Sequence, residues 1–159
     1  MESDKMDTSL VFAGDICFHN CEKQSVDEEY GRRVLAGVMP VLERADYRLA
    51  NLENPLVETP TPIAKSGPPL YGLPKNVGFL KAAKVDCAIL ANNHIGDQGD
   101  QAVLETCVLL KREGIEYAGA GADVEEAYRA WHCEKAGTRI SVICVAENEF
   151  GIAGRNRPG

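Results

Sequence analysis

The sequence predicts an α/β fold, because short apolar runs alternate along the chain with amphipathic stretches of helical spacing. The run at residues 86–91 is apolar after its first residue, which is typical of a buried strand in a parallel sheet. The chain has 159 residues, of which 45% are hydrophobic, so it is long enough to form one domain with a real core. We predict one domain over residues 8–150, followed by a polar tail at 151–159.

The predicted elements alternate between strand and helix in chain order. The strands are residues 9–13, Tyr47–Leu52, 86–91 and Glu116–Ala118, followed by a hairpin of Trp131–Lys135 and 139–145. The helices lie at residues 34–42, 77–84, 98–113 and 124–130. Two capping-box patterns, Ser25 with Glu28 and Asp123 with Glu126, mark helix starts. Pro40 either kinks the first helix or occupies the first turn of a shorter one.

A proline-rich segment at residues 55–74 follows the second strand. Proline at this density excludes helix and central strand. A loop of this length in a compact domain is usually functional or disordered. Because it begins directly after Glu53, we interpret it as a lid over a site. Lys65 and Lys75 in this region are candidates for contact with an anionic substrate.

Charge and hydropathy exclude several classes of partner. The net charge of −7 disfavours a nucleic-acid binder and an anionic membrane surface, since both need a basic face. It leaves a phosphate-bearing substrate open, because a bound metal reverses the local sign of a site. The N-terminus lacks a secretory pattern and no apolar stretch is long enough to span a bilayer, so we predict a cytoplasmic protein without disulfides.

Polar residues with metal-ligand chemistry stand at the ends of three predicted strands. Asp15, Glu53, Asn93 and His94 follow the strands at 9–13, Tyr47–Leu52 and 86–91. The carboxyl ends of parallel strands share one edge of a sheet, so we expect these four side chains to converge. Carboxylate and amide oxygens suit Mn²⁺, Mg²⁺ or Zn²⁺, and a dinuclear site with ions about 3.5–4 Å apart would clamp a phosphate ester.

Each candidate has an ordinary structural alternative. Asp15 would serve as a turn residue, Glu53 as a solvated carboxylate and His94 as a satisfied histidine at a helix start. We predict that Asp97 caps the following helix. Cys17 and Cys21 flank His19, but no further ligands with zinc spacing accompany them.

Three sequence blocks resemble the signatures of the CapA family, proteins linked to poly-gamma-glutamate capsule synthesis. The blocks are Gly14-Asp15, Asn51-Leu52-Glu53-x-Pro55 and Ala91-Asn92-Asn93-His94-x-x-Asp97-x-Gly99. The resemblance runs from about Leu10 to Phe150. That family in turn is similar to the calcineurin-like metallophosphoesterases, so the resemblance implies a metallophosphoesterase-type sandwich.

The resemblance also implies roles for the four strand-end residues. Asp15 would hold one metal, Glu53 would be the bridging carboxylate and Asn93 would ligate the second metal. His94 would protonate the leaving group or steady the transition state.

Two departures from the phosphoesterase pattern qualify this expectation. Cys17 occupies the position where phosphoesterases usually place a histidine, and after His94 the sequence has only His132. We therefore expect the chain to correspond to the N-terminal half of an incomplete sandwich, whose exposed sheet edge would favour self-association.

Three functions remain open from the sequence. The first is a CapA-like protein with a metal-dependent hydrolase-type site that acts on a phosphoester or an anionic polymer. The second is a non-catalytic binding or assembly module on the same fold. The third is an inactive gene fragment.

Overall fold

The computed structural model describes residues 7–21 and 23–159. In that part of the chain, four parallel strands form a sheet in chain order and two further strands form an antiparallel hairpin. The sheet strands are β1 Leu10–Ile16, β2 Tyr47–Leu52, β3 Cys87–Ile89 and β4 Glu116–Ala118, and the hairpin is β5 Trp131–Lys135 with β6 Thr138–Val142. The predicted α/β class with a parallel sheet is confirmed.

The helices connect successive strands. They are α1 Glu28–Val34, α2 Met39–Leu42, α3 Val77–Ala82, α4 Asp100–Arg112 and α5 Val124–Ala127, with 3₁₀ turns at Leu35–Gly37 and Pro74–Asn76. Pro40 lies in the first turn of α2, so the second of its two predicted roles is the one observed. Its missing N–H is harmless there, because the first N–H groups of a helix have no partner within the helix.

The prediction that Ser25 caps the first helix is wrong, whereas the prediction that Asp123 caps α5 is correct. The N-cap of α1 is Asp27, whose carboxylate accepts the N–H of Tyr30 at 3.0 Å, while Ser25 donates its hydroxyl to Asp27. A carboxylate at the helix N-terminus also interacts favourably with the positive end of the helix dipole. At α5, Asp123 accepts the N–H of Glu126 at 2.9 Å.

The two faces of the sheet have different covers. Ala50 and Leu52 pack against the helices, whereas Leu49, whose side chain is on the opposite face of the strand, packs against Trp131 of the hairpin. This follows from the two-residue period of a strand. Sequential strand order with right-handed crossovers places the connecting helices on one face, which leaves the other for the hairpin.

The hairpin is held to the sheet by an aromatic pair and a hydrogen bond. The rings of Tyr47 and Trp131 meet edge to face with centroids 5.6 Å apart, and the Tyr47 hydroxyl donates to the carbonyl of Glu134 at 2.7 Å. Cys87 is fully buried in this layer, and burial raises the pKa of its thiol to about 12. Cys107, beneath the helices, is likewise buried. Both thiols are small core side chains.

β1 is longer than predicted and carries an irregularity. The register against β2 shifts between Ala13 and Asp15, which makes Gly14 the extra residue of a bulge. The strand therefore continues through Gly14-Asp15 to Ile16 instead of ending there. Within the described residues β1 pairs only with β2, so it is an edge strand, and Phe12 on it is 60% exposed. Self-association through this edge stays a prediction.

Residues 151–159 pack against the loops that carry the strand ends. A Cβ atom on Gly96 would lie 2.6 Å from the Cα of Gly151, so these two backbones touch. Gly121 and Gly159 exchange two backbone hydrogen bonds, of 2.9 and 3.2 Å. No helix among the described residues is long and apolar enough to cross a membrane.

Candidate functional site

Side-chain hydrogen bonds connect the carboxyl ends of β1, β2 and β3. Asn51 donates to Oδ1 of Asp15 at 2.7 Å, and Asn92 donates to Oδ1 of Asn51 and to the carbonyl of Leu52, both at 3.0 Å. The strand ends thus meet at one edge, as parallel topology requires. Sequence reasoning overlooked Asn51 and Asn92 as the residues that make these connections, although both lie in the blocks it singled out.

Asn92 also shapes the turn that presents His94. Its side-chain oxygen accepts the N–H groups of His94 at 3.0 Å and Ile95 at 2.9 Å. An asparagine that bonds to backbone groups two and three residues on stabilises a tight turn. The neighbouring Asn93 lies exposed in this turn.

His94 belongs to a buried charged group. Its Nδ1 lies 2.7 Å from Oδ2 of Asp97, and Oδ1 of Asp97 lies 2.5 Å from Nζ of Lys65. The Asp97 and Lys65 side chains are 0% and 3% exposed, whereas that of His94 is 17% exposed. The buried pair fixes the Nδ1 side of the imidazole, so Nε2 is the ring nitrogen that lies away from Asp97.

The prediction that Asp97 caps α4 is wrong. The N-cap of α4 is Gly99, whose φ of 83° places it in a region that L-residues rarely occupy. Asp97 instead turns back toward the proline-rich segment, where Oδ2 also accepts the N–H of Leu70 at 2.7 Å.

The proline-rich segment is packed closely against this group. Ile63 donates its N–H to the carbonyl of Asp97 at 2.9 Å, and the Thr61 hydroxyl donates to the carbonyl of Gln98 at 2.7 Å. Gln98 returns a bond from Nε2 to the carbonyl of Leu70 at 3.0 Å. These bonds satisfy backbone groups of a segment that forms no helix or strand of its own between residues 57 and 71.

A cleft opens beside His94. Its lining residues are Lys65, Ser66, Gly67, Pro68, Asn93, His94, Glu149 and Phe150. Sequence analysis did not identify Glu149 or Phe150, which are brought here by the contact between Gly96 and Gly151. The Lys65 ammonium is paired with Asp97 and its side chain is only 3% exposed, which disfavours the anionic substrate contact considered above.

Glu53 lies half-buried after β2, beside Cys17. Its backbone N–H donates to the carbonyl of Ile16 at 3.1 Å, which continues the pairing of β1 with β2. Desolvation, together with the neighbouring Glu53 carboxylate, raises the pKa of the Cys17 thiol. Because only the thiolate is a strong metal ligand, Cys17 is a poor substitute for the histidine of the phosphoesterase pattern.

The donor chemistry limits which cation this edge would accept. Across residues 7–21 and 23–159, no three His, Cys, Asp or Glu side chains lie close enough together to hold a metal ion. A cation bound by Asp15 and Glu53 would therefore need the Asn93 amide oxygen as a further protein ligand. Such an all-oxygen set fits Mg²⁺ or Mn²⁺ better than Zn²⁺, which usually takes imidazole or thiolate.

A model of one protein family matches residues 9–158, which is nearly the whole chain and includes the strand ends, the proline-rich segment and the cleft. The chain belongs to the bacterial capsule synthesis protein PGA_cap family. The predicted resemblance to CapA proteins is thereby confirmed.

Curated relatives of this PGA_cap chain carry names from polymer synthesis. It is 26% identical over 163 residues to the capsule biosynthesis protein CapA of Bacillus anthracis, covering 99% of this chain and 39% of that protein. It is 36% identical over 130 residues to a probable polyglutamine synthesis accessory protein of Mycobacterium tuberculosis, covering 76% and 34%. The PGA biosynthesis protein CapA of Bacillus subtilis is 24% identical over 155 residues, covering 95% and 41%. The chain thus spans 34–41% of the length of these relatives.

Proposed function

We propose that this chain acts in the synthesis or processing of a poly-gamma-glutamate-type capsule polymer, through a cation-dependent hydrolase-type site at the carboxyl edge of its sheet. The family match and the names of the relatives support the proposal that the chain acts on a capsule polymer. The arrangement of His94, Asp97 and the adjacent cleft supports the hydrolase-type chemistry.

The observation that carries the chemical part is the bond between His94 Nδ1 and Asp97. In neutral His94 this bond places the proton on Nδ1 and directs the lone pair of Nε2 away from Asp97. When His94 is protonated, the same carboxylate stabilises the imidazolium, and Nε2–H donates its proton to a departing oxygen or nitrogen. A histidine oriented in this way by a buried carboxylate is suited to general acid–base catalysis.

A divalent cation would be held by the Asp15 and Glu53 carboxylates with the Asn93 amide oxygen. When bound there, it would polarise a phosphoryl or carbonyl oxygen and neutralise developing negative charge. Asn51 holds the Asp15 carboxylate in place by its bond to Oδ1, which leaves Oδ2 for the cation. The proximity of Asn93 to His94 in one turn would place bound substrate next to Nε2.

Mn²⁺ binding followed by electron paramagnetic resonance tests the cation site. Glu53→Gln is expected to weaken binding at least tenfold, because it removes one of two carboxylates. Glu58→Gln is the matched control, since Glu58 is an exposed glutamate in the proline-rich segment that follows Glu53, and this variant should bind Mn²⁺ as the unchanged protein does. Equal affinities of the unchanged and Glu53→Gln proteins would rule out this cation site.

Turnover tests the role of His94. With Mn²⁺ present, the protein is incubated with poly-gamma-glutamate and with a nitrophenyl phosphodiester, and released product is quantified. His94→Ala is expected to lower kcat at least a hundredfold on the substrate that is cleaved. Cleavage that survives this substitution would remove His94 from the mechanism.

One observation favours a second candidate function, a binding or assembly module without catalysis. The described residues lack a cluster of three His, Cys, Asp or Glu side chains that could hold a metal ion. This alternative predicts binding of poly-gamma-glutamate that is independent of Mn²⁺ and unchanged in His94→Ala, with no product released.

A further inference from the structure

Lys65 is a buried lysine in an unusual setting. Its ammonium lies 2.5 Å from Oδ1 of Asp97, 3.3 Å from the carbonyl oxygen of Asn93 and 4.9 Å from the ring centroid of Phe150. An ammonium has three N–H donors, and these three partners account for them. With its side chain 3% exposed, Lys65 has no donor left for a ligand in the cleft.

A buried ion pair adds little to the net stability of a fold. The desolvation of two charges offsets most of their attraction, so an apolar pair of similar volume would hold the segment at least as well. The arrangement of the partners indicates what the pair adds. Asp97 accepts from Lys65 through Oδ1, and through Oδ2 from both His94 Nδ1 and the N–H of Leu70.

Two of these three donors, Lys65 and Leu70, belong to the proline-rich segment. The carboxylate that orients the His94 imidazole is therefore itself oriented by that segment. If Lys65 withdraws, Oδ1 of Asp97 loses its partner and the carboxylate is held through Oδ2 alone, which loosens its bond to His94. If His94 is removed, Oδ2 keeps only Leu70.

We propose that Lys65 is a positioning residue that couples the packing of the proline-rich segment to the ring orientation of His94 through Asp97. This inference rests on the proposed function only for the catalytic meaning of His94. The segment is then a structural clamp on the imidazole, and its displacement would disable His94 without any contact between the segment and the substrate.

The test compares Lys65→Met with Lys75→Met. Lys75 is exposed beside the same segment and serves as the matched control. The first measurement is the ¹⁵N spectrum of the His94 ring, which distinguishes the Nδ1–H tautomer from the Nε2–H tautomer. The second is amide hydrogen exchange at Ile63 and Leu70, whose N–H groups bond to Asp97.

In the unchanged protein and in Lys75→Met, we expect a single Nδ1–H tautomer at His94 and slow exchange. In Lys65→Met, we expect a mixture of tautomers together with at least tenfold faster exchange at both amides. Faster exchange with the His94 ring spectrum unchanged would show that Lys65 only holds the segment, and would overturn the coupling.

Phe150→Leu provides a second route in case Lys65→Met does not fold. It removes the ring beside the Lys65 ammonium but leaves the ion pair of Lys65 with Asp97 in place. We expect smaller changes of the same kind in the His94 ring spectrum and in amide exchange. Coupling must also act in reverse, so His94→Ala should accelerate exchange at Leu70, and an unchanged rate would contradict the proposal. These measurements use no substrate or metal, so the proposed function can fail, by absence of Mn²⁺ binding and turnover, while the coupling holds.

Discussion

Nδ2 of Asn92 lies 3.0 Å from Oδ1 of Asn51, and this bond joins the turn after β3 to the end of β2. The neighbouring Asn93 has the same side chain but is exposed at the tip of that turn. The two adjacent asparagines therefore differ in their surroundings. Asn92 holds the edge of the sheet together, whereas Asn93 is free of these bonds in its side chain and is the residue that we propose as a cation ligand.

Asn92→Ala should destabilise the protein by about 2 kcal/mol, because it leaves the N–H groups of His94 and Ile95 without their acceptor. Asn93→Ala should change the free energy of unfolding by no more than about 0.5 kcal/mol and should weaken Mn²⁺ binding instead. Urea denaturation of both variants checks the first part. Similar losses of stability in the two variants would contradict this division of tasks.

Gly31 permits the close approach of α1 to α3. A Cβ atom at this position would lie 2.7 Å from Cβ of Ala82, so Gly31→Ala should cost about 1–3 kcal/mol through overpacking. Gly37→Ala is the control, since a Cβ there meets nothing within 4 Å, and it should be neutral or stabilising by about 0.4–1 kcal/mol. Thermal unfolding measures both, and a Gly31→Ala protein as stable as the original would show that α1 and α3 can separate without cost.

Glu126 is expected to make stability depend on acid pH. The N–H of Ala122, which bonds to the carboxylate at 2.9 Å, is the main cause that lowers the pKa of Glu126 from about 4.5 to about 2, and the Tyr117 hydroxyl adds to it. A carboxyl whose pKa is lower in the folded state stabilises that state above the unfolded pKa. Its contribution, on the order of 2–3 kcal/mol, is present at pH 7 and is lost as the pH falls from about 5 to about 2.

Glu126→Gln should therefore lower the free energy of unfolding at pH 7 and flatten its fall between pH 5 and pH 2. Urea denaturation at several pH values gives both quantities. Glu125→Gln, on the exposed side of α5, should leave the profile unchanged. A steep acid limb that persists in Glu126→Gln would assign the acid sensitivity to other carboxylates.

Thr106 anchors the beginning of the proline-rich segment to α4. Its fully buried hydroxyl accepts the N–H of Leu56 at 2.9 Å and donates to the carbonyl of Ala102 at 2.7 Å. Thr106→Val keeps the shape but leaves the buried Leu56 N–H unpaired, so we expect a loss of about 1–3 kcal/mol and faster amide exchange at Leu56. Thr138→Val, exposed in the hairpin, is the control. Unchanged exchange at Leu56 would mean that the segment is held by its other bonds.

Local patterns predicted the regular elements well where a single physical cause decides them. β2 and β4 have the predicted bounds, because alternation and flanking turn residues mark both ends. β1 was predicted too short, since a glycine normally marks a strand end and the bulge at Gly14 depends on its pairing with β2.

The candidate site was predictable only in outline. The strand-end rule predicts that Asp15 and His94 share one edge, but it does not identify the residues that orient them. These are Asn51 for Asp15 and Asp97 for His94. Asp97 was assigned to a helix cap because its real partner, Lys65, is 32 residues away in sequence. Phe150 had no local signal, since the contact between Gly96 and Gly151 is what brings it to the cleft.

The position of β1 at the margin of the sheet separates the two parts of the site in their local stability. Among the residues that the structure describes, Asp15 depends on a strand with one neighbour. His94 depends on the turn after β3, a buried strand that lies between β2 and β4. Local opening begins at such margins and reaches the centre only with global unfolding. At the cation site that we propose, fraying of β1 would therefore weaken binding through Asp15 while the imidazole and its buried carboxylate stay assembled. The order of a single strand would then decide whether that site holds a cation.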